Sequence, residues 1–179
     1  DQRRLDAIEN LGSMDLLCTD KTGTLTEGVV RLDACTAPDG TPASQVRLWA
    51  LLNATLQAGM ANPLDEAIAA CGTEDDPLSR YAKIDEVPYD FVRKRLSVVV
   101  REEGAADDLM ICKGAVRNVV EACSTVQRGA ASEPLDATWA WAIEEKVRAW
   151  SLEGYRVLGL AVRRLPRRDS YRRDDEADL

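Results

Sequence analysis

The sequence contains no histidine, and its five cysteines (Cys18, Cys35, Cys71, Cys112 and Cys123) include no CxxC spacing. Zinc sites draw on clustered Cys and His, so a zinc centre is not expected. An odd number of thiols scattered through apolar contexts reads as buried free cysteine in a reducing compartment. No signal peptide opens the chain and no apolar run approaches ~20 residues, so no segment is expected to enter a membrane. A basic surplus is also missing. The formal net charge is -8 and the pI about 4.7, which argues against nucleic acid, whose ligands are concentrated Lys and Arg. The Asn53-Ala54-Thr55 sequon lies in a helical pattern and is set aside.

What is present is the composition of a folded protein, 45% hydrophobic and 30% charged over 179 residues, enough for one domain or one domain with pieces of another. The run Met14–Cys18 reads as a short buried strand, and alternation from Val29 to Cys35 suggests another. Pro42 and Pro63 sit where prolines open helices, with Leu48, Trp49, Leu52 and Leu56 behind the first and Leu64, Ala67 and Ile68 behind the second. Tyr81–Val87, Leu96–Arg101 and Leu109–Lys113 read as strands, the last two forming a hairpin around 102–108. A short helix is expected over Gly114–Cys123 and a loop over Gly129–Pro134. Asp136 caps a helix striped by Trp139, Ile143, Val147 and Trp150 and stopped by Gly154. Tyr155–Val162 is read as the last strand. The tail 163–179 is charged and has little to bury.

The most specific stretch is 18-CTDKTGTLTEG-28. A carboxylate just past a buried strand sits where α/β sheets hold ligands. The neighbouring Lys21 favours its ionised form, and such a carboxylate is a nucleophile toward a phosphoryl group. Gly23 and Gly28 have P-loop spacing, but Val29-Val30 stand where Lys and Ser/Thr are required, so that motif is absent. On turn chemistry alone, the stretch is a Gly-centred turn capped by Asp20.

The string Asp20-Lys21-Thr22-Gly23-Thr24-Leu25-Thr26 is identical to the phosphorylation signature of the P-type ATPases, and the chain resembles that family. The resemblance implies that Asp20 is phosphorylated by ATP and helps to hold Mg²⁺. Related haloacid-dehalogenase phosphatases carry a second aspartate two residues on. Here that position is Thr22, which cannot shuttle a proton as a carboxyl does.

Further stretches resemble the family's nucleotide-binding domain. In 88-PYDFVRKRLSVVV-100 the adenine-stacking aromatic falls on Tyr89, although many relatives carry Phe; on residue type the ring equally fits packing at a strand end. In 113-KGA-115, Lys113 ends a strand and reaches the nucleotide, and Gly114 permits close approach; a solvated lysine before a turn glycine is the plainer alternative. In 61-ANPLDEAI-68 the acidic residue near adenine aligns as Asp65, which also stands where it would complete a helix cap. In 154-GYRVLGLAV-162 the arginine that meets the polyphosphate aligns as Arg156, equally a surface strand residue. Arg93, Lys94 and Arg95 form either a basic rim or a solvated charge run.

The wording of 13–26, 83–100 and 150–166 is similar to the bacterial magnesium-transporting type. The family's Gly-Asp-Gly-x-x-Asn-Asp cluster and Thr-Gly-Glu signature are absent. The resemblance therefore implies a fragment. Residues 1–29 are a stub of the α/β phosphorylation domain, 30–162 the nucleotide-binding domain, and 163–179 a return stub. The expected fold is α+β, an antiparallel sheet flanked by helices. The implied ligands are ATP and Mg²⁺. The implied partners are the phosphorylation, actuator and transmembrane domains of the same pump, on the cytoplasmic side of a bacterial inner membrane. Without those partners the fragment binds nucleotide and does not turn it over. A pump for another cation, a phosphatase and an interaction domain are the alternatives.

Overall fold

The computed structural model of the chain describes residues 30–59, 62–72, 77–129 and 131–179; Met14–Cys18 and the signature 20–26 lie outside them. Four antiparallel strands form the main sheet in the order β1-β2-β3-β6: β1 (Tyr81–Val87), β2 (Arg95–Glu102), β3 (Asp107–Ala115) and β6 (Leu158–Pro166). The β2–β3 hairpin turns through Gly104, whose φ of +78° is the left-handed region that glycine enters without penalty. β2 and β3 lie between neighbours and are covered on both faces, which is why 98-VVV-100 is a continuous apolar run instead of an alternating one.

One face of the sheet packs under α1 (Ser44–Leu56) and α2 (Pro63–Ala69). There Leu52 meets Val98, Val100, Leu109 and Ile111, and Ala50, Ala54 and Ile68 continue the layer. The sequon residue Asn53 is fully buried and its side-chain amide donates to Ile111 O at 2.8 Å, so no glycan could be attached in this fold. The opposite face carries Val99, Met110 and Cys112. Leu165 of β6 extends this face, and Val119 of α3 (Val116–Val120), Tyr171 and Leu179 cover it.

Several expectations need correction. Residues 30–35 form no strand; the segment makes one bridge, Thr36 with Pro42, around the Pro38-Asp39-Gly40 turn. Alternation there has no ladder to join. Residues 131–134 are not loop but strand β5 (Ala131–Pro134), paired with β4 (Thr125–Arg128). Four-residue polar strands are too short to show a period. Gly114 and Ala115 extend β3, which leaves α3 shorter than expected. The last strand starts later and runs to Pro166, because its pairing with β3 continues out to Asp107. The capped helix is α4 (Ala137–Leu152), with Asp136 accepting from Trp139 N at 2.9 Å, but none of its residues is fully buried.

The largest correction concerns the tail. It returns across the Met110–Cys112 face as a strap. Tyr171 N donates to Asp85 Oδ2 at 2.6 Å and Tyr171 Oη to Asp108 Oδ2 at 2.7 Å, while Arg101 grips Asp108 through two bonds of 2.7 and 2.8 Å. Leu179 N donates to Ala122 O at 3.1 Å and its own carbonyl accepts from Ser124 N at 3.0 Å. Besides Leu165 of β6, the charges of the segment hide three buried side chains, Tyr171, Glu176 and Leu179. Arg31–Leu179 is accordingly one compact unit.

Candidate functional site

The end of β1, the start of β2, the end of β3 and the start of β6 meet at one end of the sheet: Val87 pairs with Ser97, Leu96 with Lys113, and Lys113 with Leu160. That end of the sheet carries Lys113 and Gly114 of β3, with Tyr89 two residues past β1 and Arg156 two residues before β6.

Lys113 lies within β3, two residues short of its end, on the face that α1 and α2 cover. Its ammonium donates to Asp65, and the pair is nearly excluded from water, at 8% and 5% residual exposure. The second oxygen of Asp65 accepts from the side chains of Gln57 and Asn62. Asn62 caps α2 by accepting from Leu64 N at 3.0 Å and Asp65 N at 3.1 Å. Asp65 thus sits in the first turn of α2 but turns its carboxylate inward onto Lys113. Burial pulls the Lys113 pKa below the usual lysine range, against the opposing pull of Asp65.

Tyr89 is about half exposed and Phe91 is 86% exposed; their rings pack edge to face, with centroids 5.6 Å apart. The turn carrying them is tightly fastened. Asp90 accepts from Val92 N at 2.9 Å, from Arg93 N at 2.7 Å and from the Arg93 guanidinium. Lys94 closes the turn in the left-handed region, φ +50°, and donates its N–H to Asp90 O at 2.8 Å. The Asp90 carboxyl is held down to about 2, chiefly by the Arg93 backbone N–H. A depressed carboxylate contributes order above its ordinary value of ~3.9 and loses it as pH falls through the folded value. The amide resonances of 89–94 should therefore move in a titration centred near pH 2; a midpoint near the ordinary aspartate value would show the turn unfastened.

Three further expectations change here. Arg93 and Arg95 do not form a free basic rim: each is 14% exposed and both donate to Glu176. Gly114 is explained by packing, since a Cβ there would lie 2.6 Å from Arg95 Cβ and collide with Lys94 O. Arg156 is exposed and lies before β6 instead of on it. Asp20, Lys21 and Thr22 lie outside the described residues. The sequence placed Asp65 in the cap begun by Asn62, which the structure bears out, but it missed Gln57 as a partner of Asp65, Asp90 as the clamp of the turn, and Glu176 as the anchor of Arg93. Only Asp90 had a local signal, an Asx-turn residue ahead of two N–H donors. A cavity of about 370 Å³ lies elsewhere, lined by Trp49, Val119, Ile143, Val147, Trp150 and Leu160 and by none of these residues.

An antiparallel sheet with helices packed on its faces defines an α+β domain. Residues 49–178 match the family described as P-type ATPase, cytoplasmic domain N, and the chain belongs to that family. Its sequence is 41% identical over 99% of its length to the magnesium-transporting ATPase, P-type 1, of Escherichia coli K12, and 39% identical over 99% to that of Salmonella typhimurium. It is 30% identical over 90% of its length to plasma membrane ATPase 2 of Saccharomyces cerevisiae. The chain spans 20% of the bacterial relatives and 17% of the yeast one. No helix among the described residues is long and apolar enough to cross a membrane.

Proposed function

We propose that this chain is the ATP-binding domain of a cation-transporting P-type ATPase that imports magnesium, on the cytoplasmic side of a bacterial inner membrane. The observation that carries the reading is the buried Lys113–Asp65 pair at the end of the sheet where β1 runs on toward Tyr89 and β6 is entered from Arg156. Tyr89 offers the base an exposed ring. Lys113 and Asp65 offer a donor and an acceptor, and Arg156 meets the polyphosphate. The magnesium assignment rests on the similarity to the two bacterial transporters.

Residues 1–29 carry the phosphoryl acceptor Asp20 with Lys21 and Thr22, the nucleotide-binding domain starts at 30, and 163–179 is the return segment, strapped onto that domain. Among the described residues no group of three Cys, Asp or Glu side chains could hold a metal ion. Asp20 would hold catalytic Mg²⁺ together with ligands from the pump's other domains and the phosphates of ATP. The phosphorylation, actuator and transmembrane domains are the partners. Without them, this chain binds nucleotide and does not turn it over.

The test is an NMR titration of the 179-residue chain with ATP, then GTP, each with and without Mg²⁺. Shifts should gather at Tyr89, Lys113 and Asp65 with little change at Asp20. Tyr89→Ala should weaken ATP binding by ~1–3 kcal/mol, the scale of a base stacked on an aromatic ring. Absence of localised shifts at millimolar ATP would sink the reading, and unchanged affinity in Tyr89→Ala would remove that ring from the site.

A further inference from the structure

The turn that carries Tyr89 is held by the strap on the far face of the sheet. Glu176 has a fully buried side chain, and its carboxylate is shared by three donors. Ser97 Oγ donates to Oε1 at 2.6 Å; Arg95 Nε donates to Oε2 at 3.2 Å; and the Arg93 guanidinium donates to Oε2 as well. Arg93 uses its remaining nitrogens on Asp90 and on Pro88 O at 2.6 Å, the residues immediately flanking Tyr89. The guanidinium is a planar fork, so fixing one edge on Glu176 fixes the direction of the others. The chain of contacts runs Glu176, Arg93, then Pro88 and Asp90, with Tyr89 between them. Three arginines face two carboxylates, since Arg173 lies 3.9 Å from Asp90 beside Arg93 and Arg95, so removal of Glu176 leaves further positive charge unmatched.

From this geometry we infer that Glu176 is a positioning residue for nucleotide binding: through Arg93 it sets the turn 88–94 and with it the Tyr89 ring. The inference rests on the nucleotide reading of Tyr89. It assigns the tail a part in the site that its place on the opposite face of the sheet conceals. A ring on an exposed turn gains affinity only to the extent that its direction is fixed before the ligand arrives.

The test compares Glu176→Gln, Arg93→Gln and Ser97→Ala in the whole 179-residue chain. Each is titrated with ATP and followed by amide resonances, with a thermal melt as a measure of fold. Ser97→Ala breaks a bond to the same buried carboxylate but leaves Arg93 engaged. Glu176→Gln and Arg93→Gln should each reduce ATP affinity by roughly threefold to tenfold, the scale of coupling carried through a positioning contact. The double variant should lose no more than either alone. In the ligand-free state the resonances of 88–94 should move while those of Asp65 and Lys113 stay. Ser97→Ala should lower the melt and leave affinity unchanged. Equal loss of affinity in Ser97→Ala would reduce Glu176 to a structural role, and unchanged affinity in both Glu176→Gln and Arg93→Gln would overturn the inference. If Glu176→Gln does not fold, Arg93→Gln decides alone. An original chain that shows no ATP shifts at Tyr89 defeats the nucleotide reading and this one with it; normal shifts in the original chain with unaltered variants defeat this one only.

Discussion

Deleting residues 167–179 is expected to unfold the chain, not to trim it. The segment would be the first choice for removal on composition, because it is charged and follows the last strand. It carries Tyr171 and Leu179 into the layer formed by Val99, Met110 and Cys112, and each apolar anchor of that size is worth about 1.5–3 kcal/mol when buried. Its loss also strips Glu176 from Arg93, Arg95 and Ser97, and Tyr171 from Asp85 and Asp108. Domains of this kind are stable by only about 5–15 kcal/mol in total, so the combined loss reaches the whole margin. Circular dichroism and a thermal melt of the shortened chain would show no cooperative transition. A folded, cooperatively melting product would mean that the strap contributes little to the sheet.

Asp65→Ala should cost the fold about 3–5 kcal/mol, the usual penalty for leaving one member of a buried ion pair behind. The Lys113 ammonium would keep no anionic partner at 8% exposure, and the Gln57 and Asn62 amides would lose their acceptor. The urea midpoint should fall with little change in slope. A pH signature separates this cause from a simple packing defect. Burial already depresses Lys113, and loss of Asp65 depresses it further. The folded chain then binds fewer protons there than the unfolded chain, so stability rises as pH climbs through the folded pKa toward the free lysine value of ~10.4. Asp65→Ala should therefore recover on the alkaline side, and adding Lys113→Met should restore much of the loss at neutral pH. A deficit that is flat with pH and untouched by Lys113→Met would show that the ion pair is not its source.

Which parts of this fold could be read from the sequence follows from how local their causes are. α1 was legible because Leu48, Trp49, Leu52 and Leu56 repeat at helical spacing within it, and α2 because Asn62 caps it and Pro63 opens it. The β2–β3 hairpin was legible because its two apolar runs are joined by a short polar turn. β4 and β5 were not, because four residues carry no period. The strap was not, because Tyr171, Glu176 and Leu179 are spaced for contacts with a surface made much earlier in the chain. Arg93 and Arg95 read as a charge run for the same reason. In the candidate site, Lys113 and Asp65 could each be named from the wording around them. Their contact, between residues 48 apart in sequence, belongs to no local pattern.

The strap also fixes an order of events in the making of the protein. Its partners Ser97, Arg93 and Asp85 lie 79, 83 and 86 residues upstream of the groups that hold them. At a synthesis rate of about 5–20 residues per second, β1 and β2 leave the ribosome several seconds before Tyr171 and Glu176 do. Local pairing can build the β1–β2–β3 meander in that interval, with Val99, Met110 and Cys112 still bare on one face. Closure of this face then waits on long-range contacts, which slow folding and leave the half-covered meander as the species a chaperone would meet.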